Sequence, residues 1–397
     1  MNITIKRRIE KQAGSCEPVH AAAQPNPGNV RKITKNLMEW KIPFMRNNRE
    51  NMNKALSLMV RTCLSLIILG ISTYIWASET FPGEKWDKVV SPDTVGWSSE
   101  YLRIVDDFAR TLRTDAYLIV HHGVIVHEYG DTTRATNIHS MRKSILSVLM
   151  GIYSDRGVVV LNKTLADLDI DDKEKLSATE RQATVQQLMQ ARSGVYHPAA
   201  YEAPETAVAR PARESFKPGE HWYYNNWDFN ALGTIFRKFT GKTIFESLRD
   251  DLAKPLQFED FNCSSDTRFQ YENASVHPAY IMRLSARDLA RVGLLMSRNG
   301  RWKDRQIVSE KWVAESTTSY SDTDIPERGY GYLWWVNVRK RSYSANGYKG
   351  QVMIVNPMRD LIIVHKVDTE NDSNKNISAR QFSELLKRII NARLTEG

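Results

Sequence analysis

The chain has 397 residues and a formal net charge of +9, with 42% of its residues hydrophobic and 25% charged. This composition is ordinary for a globular protein with a large core, and it excludes a collagen-like or low-complexity chain. Most of the positive charge lies in a basic leader, residues 1–54, where eleven Lys or Arg and four Glu give +7. The rest of the chain carries only +2, so we expect no nucleic-acid partner.

Residues 55–78 are predicted to form a signal peptide or an N-terminal anchor. The apolar run at 63–77, CLSLIILGISTYIWA, contains no charge. Fifteen residues suit a signal-peptide core better than a spanning helix, which needs about 20. We expect cleavage near Ala77, or a retained membrane tether through residues 63–77; a buried core helix is the less favoured alternative. The protein is then periplasmic or secreted, or anchored at the inner membrane. The residues before Met45 or Met52 would be an over-long gene start.

Metal and disulfide chemistry are not expected. Cys263 is the only cysteine beyond residue 78, so the folded domain cannot form an intrachain disulfide or a cysteine metal cluster. The acidic stretch 167–172 lacks the Gly and Glu of a calcium loop and is interpreted as a solvated turn. No His-Glu-x-x-His pattern is present, so a zinc hydrolase is not indicated. We therefore expect no cofactor.

The folded domain is predicted over residues 79–397, with a helical lobe at about 155–285. Residues 116–129 predict a β-hairpin, because two Val/Ile-rich runs flank a turn. A helix is predicted from Ser140. The periodicity predicts further helices and then strands. The helices are at 179–190, 230–252, 284–298, 309–317 and 378–393, and the strands are at 332–336, 351–355 and 361–365. Strands at both ends of the chain predict a sheet that the two termini close together.

The first chemical motif is Ser140-x-x-Lys143 at the start of the predicted helix. The two residues share one helical face, so the Lys amine can act as the base that a Ser hydroxyl needs. The amine must be neutral, which requires burial or a nearby positive charge. Arg142 could supply that charge, although solvent exposure is the favoured interpretation of its side chain. His139 is adjacent to Ser140 and does not share its face, so a triad base there is not expected.

Two later segments hold the other candidate residues. In PGEHWYYNN, Tyr224 could relay protons and the Asn226 amide could bind a substrate carbonyl. In SANGYKGQ, Gly347 precedes a strand, and a main-chain N–H there could complete an oxyanion hole with that of Ser140. Each segment alone is more simply a packed loop or a hairpin turn.

The order and spacing of these parts resemble the serine β-lactamase-related family, which includes class C β-lactamases, D-Ala-D-Ala peptidases, esterases and nylon-oligomer hydrolases. The resemblance covers most of residues 100–390 and includes SMRKSILSVLMGIYSDRG, PGEHWYYNNWDFNALGTIF and LSARDLARVGLLMSRNGRW. It implies an α/β (α+β) fold of the β-lactamase/transpeptidase type, with an antiparallel sheet flanked by helices and a helical insert lobe.

Position by position, the resemblance implies Ser140 as the acyl-forming nucleophile, Lys143 as the general base and Tyr224 as a proton relay. Asn226 matches the motif Asn. Gly347 matches the glycine that ends the third motif, which makes the Tyr348 N–H the second oxyanion donor.

The third motif departs from the penicillin-recognising members, which carry Lys-Thr-Gly or His-x-Gly. Here Ala345 stands at the position of the cation. Lys349 follows the glycine by two residues and is expected to point elsewhere. The form is closer to the nylon-oligomer hydrolase and esterase members.

The sequence therefore predicts a serine hydrolase acting on a small-molecule amide or ester. The alternatives are a D-amino-acid peptidase or β-lactamase acting on cell-wall-type substrates, and a catalytically silent binding module of the same fold.

Overall fold

The computed structural model describes residues 79–323 and 325–394. The predicted leader, the start sites and the predicted signal peptide or anchor lie outside the described residues. Within the described residues, no helix is both long enough and apolar enough to cross a bilayer.

The centre of the domain is an antiparallel sheet, and smaller sheets lie beside it. The strands are β1 (Ala116–His121), β2 (Val124–Gly130), β3 (Thr136–Asn137), β4 (Thr267–Gln270), β5 (Ala279–Leu284), β6 (Arg301–Trp302), β7 (Arg305–Gln306), β8 (Ser321–Asp322), β9 (Gly329–Tyr330), β10 (Trp335–Asn337), β11 (Ser342–Asn346), β12 (Val352–Asn356) and β13 (Leu361–Lys366). The central sheet has eight strands in the order β2-β1-β13-β12-β11-β10-β9-β8. A three-stranded sheet has the order β3-β5-β4, and β6 pairs with β7.

The two ends of the domain meet in this sheet, as the sequence predicts. β1 pairs with β13 from Ala116 opposite Lys366 to His121 opposite Leu361. β1 also forms the predicted hairpin with β2. Every residue of β1 and β13 is buried, which explains why both read as continuous Val/Ile-rich runs.

The helices pack on both faces of the sheet. They are α1 (Ser99–Thr111), α2 (Met141–Asp155), α3 (Val185–Met189), α4 (Pro204–Val208), α5 (Asn226–Thr240), α6 (Ile244–Ser247), α7 (Lys254–Leu256), α8 (Cys263–Asp266), α9 (Ala286–Ser297), α10 (Glu310–Ser316) and α11 (Ala379–Asn391). Apolar residues of α1 and α11 form a core with one face of β1 and β13. Those of α2 and α9 form the larger core on the other face. This is the predicted mixed fold, with helices covering an antiparallel sheet.

The segment predicted as a helical lobe contains helices α3–α8 but also two strands. β4 and β5 pair with each other, and β5 pairs with β3 just before α2. The acidic stretch differs from its prediction at Asp172, which is buried. The Asp172 carboxylate accepts hydrogen bonds from Trp227 Nε1 and Ser275 Oγ, so it links this stretch to two other segments. At Asp172 the stretch is therefore not a solvated turn.

One strand begins later than predicted. The run at 332–336 predicts a strand, but β10 begins at Trp335. Leu333 has a φ of 63° and donates its N–H to Met189 O, so the chain turns there instead of extending. Ser144 Oγ in turn donates to Leu333 O, which ties this turn to α2.

Candidate active site

Ser140 lies immediately before α2, where the chain leaves β3 and enters the domain centre. Its φ and ψ are −69° and −12°, and its side chain makes no capping hydrogen bond to the helix. The hydroxyl is therefore available for chemistry. Lys143 follows one turn later on the same face, with Nζ 2.8 Å from Ser140 Oγ. Because residues 141–153 are all buried, α2 holds this pair rigidly.

The Lys143 amine lies within hydrogen-bond distance of three oxygens. Nζ is 2.8 Å from Ser140 Oγ, 2.9 Å from Tyr224 Oη and 3.1 Å from Asn226 Oδ1. A neutral amine has two N–H donors and one lone pair. It can donate to Tyr224 and Asn226 while its lone pair accepts the Ser140 hydroxyl proton. The arrangement therefore suits a Lys acting as a base.

Burial sets the protonation states of both groups beside Ser140. Burial, and then the positive charge of Arg142, holds the pKa of Lys143 well below its usual value of 10.5. Burial also raises the pKa of Tyr224 to about 12, so the phenol keeps its proton at neutral pH. Lys143 is thus the group that can accept a proton, and Tyr224 is one that can donate.

The second motif is positioned by the start of α5. Asn225 caps this helix, because its Oδ1 accepts from Trp227 N at 3.2 Å while its Nδ2 donates to Asp228 at 3.0 Å. The cap aims the preceding Tyr224 and the following Asn226 at Lys143. Trp335 stacks on the Tyr224 ring with centroids 5.6 Å apart, which fixes the phenol from the cavity side.

The third motif lies in the turn between β11 and β12, so the hairpin interpretation is correct for the backbone. A Cβ on Gly347 would lie 2.8 Å from Ile138 O, which means that only glycine lets this strand approach the start of α2. The Gly347 N–H is already used, because it donates to Gln351 O at 2.7 Å. The following Tyr348 N–H donates to no backbone carbonyl outside its own turn within the described residues.

Arg142 is buried, with 1% of its surface exposed, so its predicted solvent exposure is wrong. The guanidinium carbon lies 5.3 Å from the Tyr201 ring centre and 5.2 Å from that of Tyr280. Tyr280 comes from β5 and Tyr201 from the loop before α4. These segments are distant in sequence, which is why the motif itself gives no sign of the burial.

His139 is not placed as a base for Ser140. Its Nδ1 lies 2.8 Å from Tyr201 Oη, and its Nε2 lies 2.7 Å from Thr369 Oγ1. Burial, with the nearby positive charges of Arg142 and Lys366, lowers its pKa to about 3. Both nitrogens of the neutral ring are therefore engaged, and they link the loop at Tyr201 to Thr369 in the segment that follows β13.

These elements enclose a cavity of about 420 Å³. Five predicted site residues line it, namely Ser140, Tyr224, Asn226, Gly347 and Tyr348. Lys143 lies behind Ser140. The sequence missed the other lining residues, which are His139, Arg142, Tyr201, Glu202, Ala203, Pro204, Thr206, Trp335 and Asn346. Most come from one segment, residues 201–206, which joins the end of a loop to the start of α4 and carries no motif.

His197, Trp222, Tyr223 and Trp227 are not among the described residues that line this cavity. His197 is buried and lies 3.2 Å from Glu180. The Lys349 side chain donates to Ser373 O, so it points away from the cavity as predicted.

Comparison with known proteins agrees with this geometry. The sequence profile of the beta-lactamase family matches residues 103–380. The 6-aminohexanoate-dimer hydrolase of Paenarthrobacter ureafaciens is 30% identical over 153 residues, which is 36% of this chain and 38% of that enzyme. The match thus spans well under half of the curated relative.

Two solved structures share the fold. A Bacillus anthracis protein described as a candidate 6-aminohexanoate-dimer hydrolase has a TM-score of 0.57 at 19% identity, covering 79% of this chain and 88% of its own. A penicillin-binding-protein homologue from Caulobacter crescentus has a TM-score of 0.55 at 16% identity, covering 75% and 99%. With its profile match across most of the folded domain, the chain belongs to the beta-lactamase family.

Proposed function

We propose that this protein is a serine hydrolase that cleaves an amide or ester bond through an acyl-enzyme on Ser140. The observation that carries the proposal is the buried Lys143 amine, 2.8 Å from Ser140 Oγ and 2.9 Å from Tyr224 Oη. A Ser hydroxyl needs such a base to act as a nucleophile at neutral pH. Membership of the family and the aminohexanoate-dimer hydrolase relative support hydrolase chemistry.

In the proposed reaction, Lys143 accepts the Ser140 proton as Oγ attacks the substrate carbonyl carbon. The main-chain N–H groups of Ser140 and Tyr348 stabilise the oxyanion. Tyr224 donates its phenol proton to the leaving amine or alcohol and recovers a proton from Lys143. Asn226 holds the Lys143 amine and faces the substrate. Water then attacks the acyl-enzyme carbonyl, and Lys143 accepts the water proton. Lys143 returns that proton to Ser140 Oγ as the acyl–oxygen bond breaks and the acid product leaves.

The third motif disfavours the cell-wall alternatives. Ala345 is buried and uncharged at the position where penicillin-recognising members hold a cation. Lys349 does not replace that cation, because its amine is bound to Ser373 O. A D-amino-acid peptidase or β-lactamase would therefore lack this contact to the substrate carboxylate. A silent binding module is disfavoured because Ser140, Lys143 and Tyr224 keep their mutual hydrogen-bond distances.

The test is hydrolysis by the purified protein of p-nitrophenyl esters, the matched p-nitroanilides and nitrocefin. We expect ester or anilide turnover that falls at least about 10³-fold in Ser140→Ala and about 10²–10⁴-fold in Lys143→Met. The control is Ser147→Ala on the same helix, because that buried hydroxyl has no hydrogen-bond partner within the described residues. Undiminished turnover in Ser140→Ala, or none by folded wild type, would contradict the proposal.

A further inference from the structure

The candidate active-site motif contains a buried cation that has no anionic partner among the described residues. Arg142 is 1% exposed, and a guanidinium stays protonated in proteins. Within the described residues, its Nε and Nη2 have no hydrogen-bond acceptor. The Tyr201 and Tyr280 rings attract the cation, but a ring face does not replace directed N–H···O bonds.

The other arginine that is buried among the described residues has a carboxylate partner. Arg291 is fully buried and donates to Glu259 Oε1 at 2.7 Å and to Leu256 O at 2.8 Å. Arg210, which is only half-buried, is also paired with a carboxylate, that of Glu202. A buried charge without such a partner destabilises the folded state. The difference indicates that the partner of Arg142 is not part of the described residues.

Arg142 is one of the residues that line the same cavity as Ser140. Glu202 is the acidic residue among the described cavity-lining residues, and its Oε2 is paired with Arg210, which is not a lining residue. The cavity therefore carries an excess positive charge next to the nucleophile. The depressed pKa of His139, caused by burial and then by Arg142, is consistent with that positive potential.

We propose that Arg142 is an anion subsite that binds a carboxylate of the substrate, so that the preferred substrates are anionic esters or amides. This inference rests on the proposed hydrolase function and names its substrate class. The guanidinium would form charge-assisted N–H···O bonds with the carboxylate. The first motif then supplies, from α2, a cation that the β11 strand lacks at Ala345.

The first test compares kcat/KM within pairs of similar esters, one anionic and one neutral, in the wild type and in the variants. One pair is p-nitrophenyl hydrogen glutarate and neutral p-nitrophenyl valerate, which places the carboxylate on the acyl group. The other is 4-acetoxybenzoate and its methyl ester, which places it on the leaving group. We expect the wild type to favour the anionic ester at least tenfold in one of the two pairs. The pair that shows the preference tells whether Arg142 binds a carboxylate on the acyl group or on the leaving group.

Arg142→Met should abolish this preference, and Arg142→Lys should keep part of it. The ratio within a pair cancels any change in the reactivity of Lys143, which affects both esters alike. Arg339→Met removes an exposed charge outside the cavity and should leave the ratio unchanged. Absence of a preference in both wild-type pairs, or its survival in Arg142→Met, overturns the inference.

A binding measurement separates this inference from the hydrolase proposal. Ser140→Ala is titrated with glutarate and with neutral glutaramide by calorimetry. We expect glutarate to bind at least tenfold more tightly than glutaramide, and Ser140→Ala/Arg142→Met to lose that difference. Equal binding of the two ligands by Ser140→Ala overturns the anion subsite. Failure of every ester to be hydrolysed while glutarate binds through Arg142 would overturn only the hydrolase proposal.

Discussion

Lys143 can act as a base because its surroundings favour the neutral amine. Three oxygens lie around Nζ, and a neutral amine satisfies them with two donors and one lone pair. Burial and the neighbouring Arg142 charge both disfavour the ammonium form. The spacing of three residues brings Ser140 Oγ and the Lys143 amine together, and burial of the helix keeps the amine neutral.

The Arg142 charge should be visible in the pH dependence of the reaction. Removing it in Arg142→Met relieves repulsion of the ammonium, so the pKa of Lys143 rises. The acid limb of kcat/KM for a neutral ester should shift to higher pH, while Arg142→Lys, which keeps the charge, stays close to wild type. A pH–rate series measures the limb. An unchanged limb, or one shifted to lower pH in Arg142→Met, would contradict this electrostatic role.

Among the elements, the β11–β12 hairpin must approach the start of α2 closely. Gly347→Ala places a Cβ 2.8 Å from Ile138 O and 3.0 Å from Gln351 Cβ, so the strand must move away from Ser140. We expect at least a tenfold loss of kcat/KM and about 1–3 kcal/mol of destabilisation, measured by esterase assay and denaturant unfolding. Gly83→Ala is the control, because its nearest neighbour is Lys85 O at 4.0 Å. Wild-type activity in Gly347→Ala would contradict the close approach.

The loop that forms one cavity wall is anchored by a buried carboxylate. Glu180 lies 3.2 Å from His197 Nε2 and accepts from Arg213 Nη2 at 2.9 Å, and both partners belong to the segment 195–217. Burial opposes ionisation of Glu180, but the hydrogen bonds from His197, Arg213 and the Ser177 N–H outweigh it and lower its pKa to about 2. This contribution to stability is complete above about pH 4.5 and is lost as the pH falls towards about 2.

Glu180→Gln should therefore destabilise the segment 195–217, which forms one wall of the cavity, without changing the surroundings of Ser140. We expect about 3 kcal/mol of destabilisation at pH 7 and an increase in KM larger than the decrease in kcat. Glu174→Gln, at an exposed carboxylate that also contacts Arg213, should change stability by less than about 1 kcal/mol. Unfolding curves and steady-state kinetics give both readouts. A Glu180→Gln protein with wild-type stability and KM would show that the wall does not depend on this anchor.

At the scale of the whole chain, we propose that the protein is exported from the cytoplasm. Positive charge is concentrated before residue 55, and the apolar run 63–77 follows it. Expressed from Met52 in a Gram-negative host, the protein should reach the periplasm, either cleaved near Ala77 or retained at the inner membrane. Cell fractionation with intact-mass measurement distinguishes these two forms. Ile68→Arg should block export. Full-length protein in the cytoplasm would contradict the proposal.

The sequence was most informative where function depends on short, local patterns. Ser140, Lys143, Tyr224 and Gly347 each belong to a recognisable segment, and the buried strands β1 and β13 read as continuous apolar runs. It was least informative where distant segments meet. β3 has two residues and no periodicity, and its partner β5 lies near the end of the segment that was expected to be a helical lobe.

The burial of Arg142 shows the same limit. Its surroundings come from Tyr201 and Tyr280, which neither motif spacing nor helix periodicity links to α2. Trp335, which stacks on Tyr224, was assigned to a strand but not to the site. Cavity-lining side chains on loops and strand ends belong to no local sequence pattern. Their place in the site can therefore be recognised only in the folded structure.

The central claim, that Ser140 is an activated nucleophile, is tested most directly by intact-protein mass spectrometry after treatment with a fluorophosphonate probe. We predict a single adduct on wild type, located on Ser140 by peptide mapping and absent from Ser140→Ala, with Ser147→Ala labelled like wild type. Folded wild-type protein that forms no adduct, or a Ser140→Ala protein labelled to the same extent, would contradict it.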